Sequence, residues 1–282
     1  MHKSFISFVV AALLISGCER IELKHTDVLS KETRTKSTNT TPAAKVDTTA
    51  LVTDYTSATP KEIITRAHKA AGGLEWARPQ SVAKAGYAVY YKDGQSLRHE
   101  SHKTWRVFAD SSDTESKVRI YSVKDGAPVI NISYDGITTY TDKGAQPQTA
   151  ADKGWSSNFG FGVIRRALDT GYRLERLPDD MIDGKTAFTV KVYDPAGGQT
   201  TFGIAQKDHK ILKVGFETAR GWHERIYSDF YSNMDDDWVQ PGRERLYYNG
   251  EKANEVIWER YAINLDLPDC IFVLPQAPDC AP

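Results

Sequence analysis

From residue 86 onward the chain alternates apolar and polar side chains in short runs: GYAVYY (86–91), KTWRVF (103–108), KVRIYSV (117–123) and PVINISY (128–134). Alternation places every second side chain on the same face of a pleated strand. The pattern resumes in AFTVKVY (187–193), TTFGIA (200–205), ILKVGFET (211–218), GWHERIYSDF (221–230), RERLYY (243–248) and EVIWERYAI (255–263). Asp93-Gly94, Asp125-Gly126, Asp135-Gly136, Asp183-Gly184 and Asn249-Gly250 punctuate these runs. Such pairs tolerate the positive φ that two-residue hairpin turns demand. About ten or eleven strands joined by short turns predict a mainly β, α+β fold built on one curved antiparallel meander.

Two segments carry helical spacing instead. In TPKEIITRAHKAAGG, Thr59 and Glu62 form a capping box, Pro60 suits the first helical turn, and Gly72 and Gly73 supply a stop, which predicts a helix over residues 60–71. Ile63, Ile64, Ala67, Ala70 and Ala71 share one face of it. SSNFGFGVIRRALDTGY (156–172) puts Phe161, Ile164 and Leu168 on a second stripe. Helices inserted among strands must cover a sheet face.

The first 17 residues have a basic start (His2, Lys3), an apolar centre from Phe5 to Ile15, and small residues before Cys18. These are the three parts of an export signal, with an apolar centre shorter than the roughly 20 residues a membrane-crossing helix needs. Ile15-Ser16-Gly17-Cys18 resembles the bacterial lipobox, which implies cleavage after residue 17 and acylation of Cys18 by a diacylglycerol anchor and a further fatty acid such as palmitate. Residues 18–58 are dense in Thr, Ser, Lys and Asp and poor in large apolar side chains, so they read as a flexible tether with a span on the order of 35 Å. The folded domain is then 59–282. Cys270 and Cys280 form an even pair in an oxidising compartment and are expected to close a C-terminal loop.

Composition narrows the function classes. A net charge of −1 at pH 7 gives no positive field for a nucleic-acid backbone, so nucleic acid is not an expected partner. The sequence contains no nucleophile elbow, phosphate loop or C-x-x-C pair, and Gly160-Phe161-Gly162 lacks the third glycine of a dinucleotide fingerprint. His223-Glu224 opens like a zinc-protease motif but Tyr227 stands where the second ligand histidine belongs. Asp235-Asp236-Asp237 reads as a solvated acidic turn rather than a calcium loop, because Val239 and Gln240 break that pattern. His99 and His102 lie an odd number apart on a strand, so they are expected as separate surface histidines unless a bulge intervenes. No metal, cofactor or catalytic residue is expected.

AHKAAGGLEW (67–76), Tyr227-Ser228-Asp229-Phe230, Gln240-Pro241, and the run from Ile263-Asn264 to Phe272 and Pro275 together resemble the LolA/LolB-like superfamily of outer-membrane lipoprotein carriers and receptors. The resemblance implies an unclosed antiparallel half-barrel with helices lying over an apolar concavity that accepts acyl chains. By alternation the lining would include Trp105 and Val107, Phe188 and Val190, Phe202 and Ile204, and Val214 and Phe216, with Phe159, Phe161 and Ile164 on the cover. It further implies a non-enzymatic envelope protein whose partner is an acyl chain, an acylated lipoprotein or another apolar ligand. Glu19 after Cys18 favours the outer membrane, facing the periplasm. Two other readings stay open: an interaction protein with a filled core, and an enzyme using His99, His102, His223 or Asp229 on a small hydrophobic substrate.

Overall fold

The structure, a computed structural model, describes residues 57–108, 117–148, 162–234, 236–276 and 280. The export signal, Cys18, nearly all of the tether, and Phe159 and Phe161 lie outside the described residues. Helix α1 (Pro60–Ala71) begins on the expected cap: the Thr59 hydroxyl accepts from the Glu62 amide at 3.2 Å, and the Glu62 carboxylate accepts from the Thr59 amide at 2.8 Å. It ends at Gly72, whose φ of 129° and close approach to the Trp238 backbone leave no room for a Cβ. Helix α2 (Gly73–Ala77) follows directly and buries Trp76.

Thirteen strands form one antiparallel sheet. They are β1 (Ser81–Lys92), β2 (Gln95–Val107), β3 (Lys117–Lys124), β4 (Ala127–Tyr134), β5 (Thr139–Thr141) and β6 (Gly144–Ala145). After helix α3 (Gly162–Arg166) come β7 (Arg173–Ile182), β8 (Lys185–Tyr193), β9 (Gln199–Ala205) and β10 (Ile211–Thr218). The last three are β11 (Gly221–Tyr231), β12 (Gln240–Tyr248) and β13 (Glu251–Ile263). The order is β6-β5-β4-β3-β2-β1-β13-β12-β11-β10-β9-β8-β7, so the sheet is unclosed: neighbours are consecutive in the chain except where β1 meets β13, and β6 and β7 stand at the two edges. Asp93-Gly94, Asp125-Gly126, Asp183-Gly184 and Asn249-Gly250 have both residues at positive φ, the geometry of mirror-image hairpin turns. Asp135-Gly136 differs. The Asp135 carboxylate accepts from the amides of Ile137 and Thr138, turning the chain through its side chain into β5.

The expected count of ten or eleven strands falls short by β5, β6 and β7. The first two span only three and two residues, too few to show a period. Strand β7, RLERLPDDMI, is a sheet edge with mixed burial, and its register shifts around Pro178 between Leu177 and Asp180. Proline donates no amide and is tolerated at such an edge bulge.

The core occupies one part of the sheet. Ile63, Ile64 and Ala67 of α1, with Val163 and Ile164 of α3, pack on Phe188, Val190, Phe202, Ile204, Val214 and Phe216 of β8–β10. The second helical segment is shorter and turned relative to expectation: Val163, Ile164 and Ala167 are buried, while Leu168 is exposed. The C-terminal segment lies on β2–β3. Cys270 is bonded to Cys280, and Ile271 and Phe272 are fully buried against Trp105 and Val107. Arg119 Nη1 donates to the Ile271 carbonyl at 3.1 Å and the Ser133 hydroxyl to the Phe272 carbonyl at 2.8 Å, which fixes the segment to β3 and β4.

Candidate ligand cavity

A cavity of about 330 Å³ opens among β1–β4, β11–β13 and α3. Ile130 on β4 and His223 on β11 both line it, although their strands are six steps apart in the sheet. At about 4.8 Å per step those strands would be roughly 29 Å apart in a flat sheet. Bordering one cavity of this size requires the sheet to curl, and its right-handed twist provides the means.

Apolar side chains make up much of the wall: Val118 and Ile120 of β3, Ile130, Leu246 of β12, and Val256 and Trp258 of β13. A polar set faces them. Lys84, Arg106, Arg165 and Arg225 bring four cations, and Glu244 is the one carboxylate among the described lining residues. Glu244 is already engaged, accepting from Arg225 Nη1 at 3.3 Å and Trp258 Nε1 at 3.1 Å. Burial alone would raise its pKa, but Lys84 and Arg225 outweigh burial and lower it. The cations shift downward as well, which for them disfavours the charged form. Burial brings Lys84 down to about 8, and burial with the repulsion of the neighbouring guanidinium brings Arg106 and Arg165 down to about 9.

Two histidines complete the polar set and both are neutral near pH 7. Burial lowers His102 and His223 to about 4, with Lys84 repelling the first and Arg225 the second. Arg225 Nε donates to His223 Nε2 at 2.9 Å, so the ring proton of His223 sits on Nδ1. His99 and His102 are buried, contrary to the expectation of surface histidines. The β1–β2 register shifts between Gly86 and Ala88, opposite His102 and His99, and this bulge turns both rings toward Ser122. Their Nδ1 atoms lie 2.9 and 3.2 Å from the Ser122 hydroxyl, which itself donates to the Ser101 carbonyl at 3.1 Å. Both rings therefore donate to Ser122.

The remaining candidates are scattered. Asp229 is solvent-facing and paired with Arg243 at 2.7 Å. Asp236, from the acidic turn, accepts from the Tyr261 hydroxyl at 2.8 Å and the Trp238 amide at 3.1 Å, which is a structural task. No group of three or more His, Cys, Asp or Glu among the described residues could hold a metal.

Alternation grouped the β8–β10 side chains on one face but did not show what lies over it, and it placed Trp105 and Val107 with them although those two belong to the face under the C-terminal segment. Phe188, Val190, Phe202, Ile204, Val214, Phe216 and Ile164 sit in the packed core under α1 and do not line this cavity. Val107 packs on the C-terminal segment instead, and Trp105 both borders the cavity and joins that packing. The reason is coverage: α1 and α3 fill the sheet over β8–β10 and leave the neighbouring strands open. The lining residues that sequence reasoning missed include Val118, Ile120, Ile130, Leu246, Val256 and Trp258 as well as the charged set, because nothing local shows that a curled sheet surrounds them.

No protein-family model and no curated protein matches the chain. Solved structures do. A LolA superfamily protein from Nitrosomonas europaea is similar at 14% identity and a TM-score of 0.49, covering 77% of this chain and 98% of its own. A domain described as an outer membrane lipoprotein-sorting protein from Vibrio parahaemolyticus is similar at 12% identity and a TM-score of 0.47, covering 74% and 95%. A DUF1329 family protein from Desulfovibrio piger is similar at 12% identity and 0.47, covering 76% and 96%.

Proposed function

We propose that this is a lipid-anchored protein of the bacterial cell envelope that binds an acyl chain, an acylated protein or another apolar molecule without altering it. The observation that supports this most is the cavity: about 330 Å³, at the lower end of the roughly 300–1,000 Å³ typical of small-molecule sites, with Ile120, Ile130, Leu246 and Val256 on its wall. Burial of apolar ligand surface there, at about 25 cal/mol per Å², supplies the driving force. The anchor and the envelope location rest on the residues around Cys18 and fit the Cys270–Cys280 bond, which suits an oxidising compartment.

The test has two parts. Mass analysis of protein isolated from its own membranes is expected to find Cys18 acylated and a lipid released on extraction. The full chain with Cys18→Ala, prepared without detergent, is expected to take up a fluorescent fatty acid. Failure of several apolar probes to bind would reject the reading.

A further inference from the structure

The cavity holds a nucleophile. Lys84 of β1 stands between Thr104 of β2 and Tyr261 of β13 in the sheet register, and it lines the cavity with part of its surface left open. Its Nζ lies 4.1 Å from the centre of the Trp258 ring. The indole Nε1 of that ring donates to Glu244 at 3.1 Å, and His102 stacks at a tilt on the same ring with 5.4 Å between centroids. An aromatic face thus positions the ammonium, and the charge of Glu244, which also accepts from Arg225, balances it.

An apolar wall of Ile120, Ile130, Leu246 and Val256 borders the same space. A lysine in an apolar pocket with other cations nearby is the arrangement that turns an ammonium into an amine able to attack a carbonyl. Burial brings Lys84 down to about 8, with Arg225, Arg165 and Arg106 acting in the same direction and Glu244 against it. The remaining titratable neighbour, His102, is uncharged near pH 7. About one Lys84 in ten is then free amine at pH 7, against roughly one in 2,500 for a lysine at about 10.4. The weaker basicity of such an amine takes back only part of that gain.

We propose that Lys84 captures a single-chain aldehyde as a reversible imine, with the alkyl chain seated against Ile120, Ile130, Leu246 and Val256. This rests on the cavity being a ligand site, and it adds the reactive group of the ligand. Lys84 first gives up one proton, and its lone pair forms the C–N bond while the carbonyl π electrons move to oxygen. A proton then passes from nitrogen to that oxygen, and the hydroxyl leaves as water with the proton first given up. The product is an iminium carrying the single positive charge of the original ammonium, so Glu244 faces the same charge before and after. Burial of the chain holds the carbonyl beside the amine. Water reverses the step and returns the aldehyde unaltered, and the apolar wall restricts that water.

Reductive trapping tests the proposal. The full chain with Cys18→Ala is mixed with decanal and cyanoborohydride at pH 7, and peptide mapping by mass spectrometry follows the decyl group on each lysine. Lys84 is expected to be labelled at least tenfold faster than the exposed Lys185 and Lys207. Saturating decanol is expected to slow labelling of Lys84 at least threefold and leave those two unchanged, a readout that needs no variant. Lys84→Met, checked by circular dichroism, is expected to lose the fast site and still bind decanol in a calorimetric titration, because Glu244 keeps Arg225 and Trp258. Labelling of Lys84 no faster than of Lys185 and Lys207, with decanol bound, overturns the imine while the cavity reading survives. No fast site and no binding of decanol overturn both. Acetaldehyde labelling Lys84 as fast as decanal overturns the part assigned to the chain.

Discussion

Acidification from pH 7.5 to 5 is expected to destabilise the fold through His102 and His223, before the carboxylates begin to titrate. Each ring is held at about 4 by burial and by a neighbouring cation, against about 6.5 in an unfolded chain. Between those values the unfolded state binds more protons than the native state, so stability rises with pH and is lost as pH falls. At pH 5 a histidine with these two pKa values costs about 2 kcal/mol relative to pH 8, and the pair about 4 kcal/mol. That is a large part of the 5–15 kcal/mol usual for a domain. His68, His99 and His209 are lowered too, by burial in the first instance, and act in the same direction. Glu244 and Glu255 have lowered pKa values and contribute only at more acid pH. Guanidinium melts at pH 7.5, 6 and 5 measure the slope, and imidazole proton resonances followed through the same range assign it. The His223→Gln variant is expected to lose about half of the part due to this pair. Imidazoles titrating near 6.5, or a midpoint that does not move above pH 5, would refute the buried neutral pair.

Other outcomes follow from single contacts. Thr59→Ala removes the cap of α1 and is expected to cost about 1 kcal/mol in denaturant melts. Phe202→Ala, in the packed core under α1, is expected to cost about 3–5 kcal/mol while dodecanoate affinity of the folded protein stays within twofold, because Phe202 does not border the cavity. A Cβ on Gly86 would stand 1.8 Å from the Ile257 carbonyl oxygen, so Gly86→Ala must open the β1–β13 ladder and is expected to lower stability by about 1–3 kcal/mol. Ser122→Ala takes the shared acceptor from His99 and His102, and leaving buried donors unpaired is expected to cost about 1–3 kcal/mol, measured by the same melts.

Much of the architecture was legible locally. The cap at Thr59 and Glu62, the stop at Gly72, and four of the five Asp-Gly or Asn-Gly turns are short-range effects in which neighbouring residues satisfy each other's backbone groups. Ten alternating runs each became a strand, since a period of two needs only a handful of residues to show itself. Strand β7 escaped because its Pro178 bulge breaks the period, and β5 and β6 because two or three residues hold none.

The cavity could not be read that way. Lys84, Arg106, Arg165 and Arg225 come from two adjacent strands, a helix and a distant strand, and only curling of the sheet brings them to one space. Periodicity tells which residues share a face, so it grouped Phe188 to Phe216 correctly as an apolar set. It does not tell whether a helix or open space lies above that face. His99 and His102 meet at Ser122 because of a single register shift across β1 and β2. Sequence thus determined strands, turns and caps, whose interactions span a few residues, whereas the placement of α1 over one half of the sheet and of four cations around the other was decided by tertiary packing alone, where burial and charge depend on residues far apart in the chain.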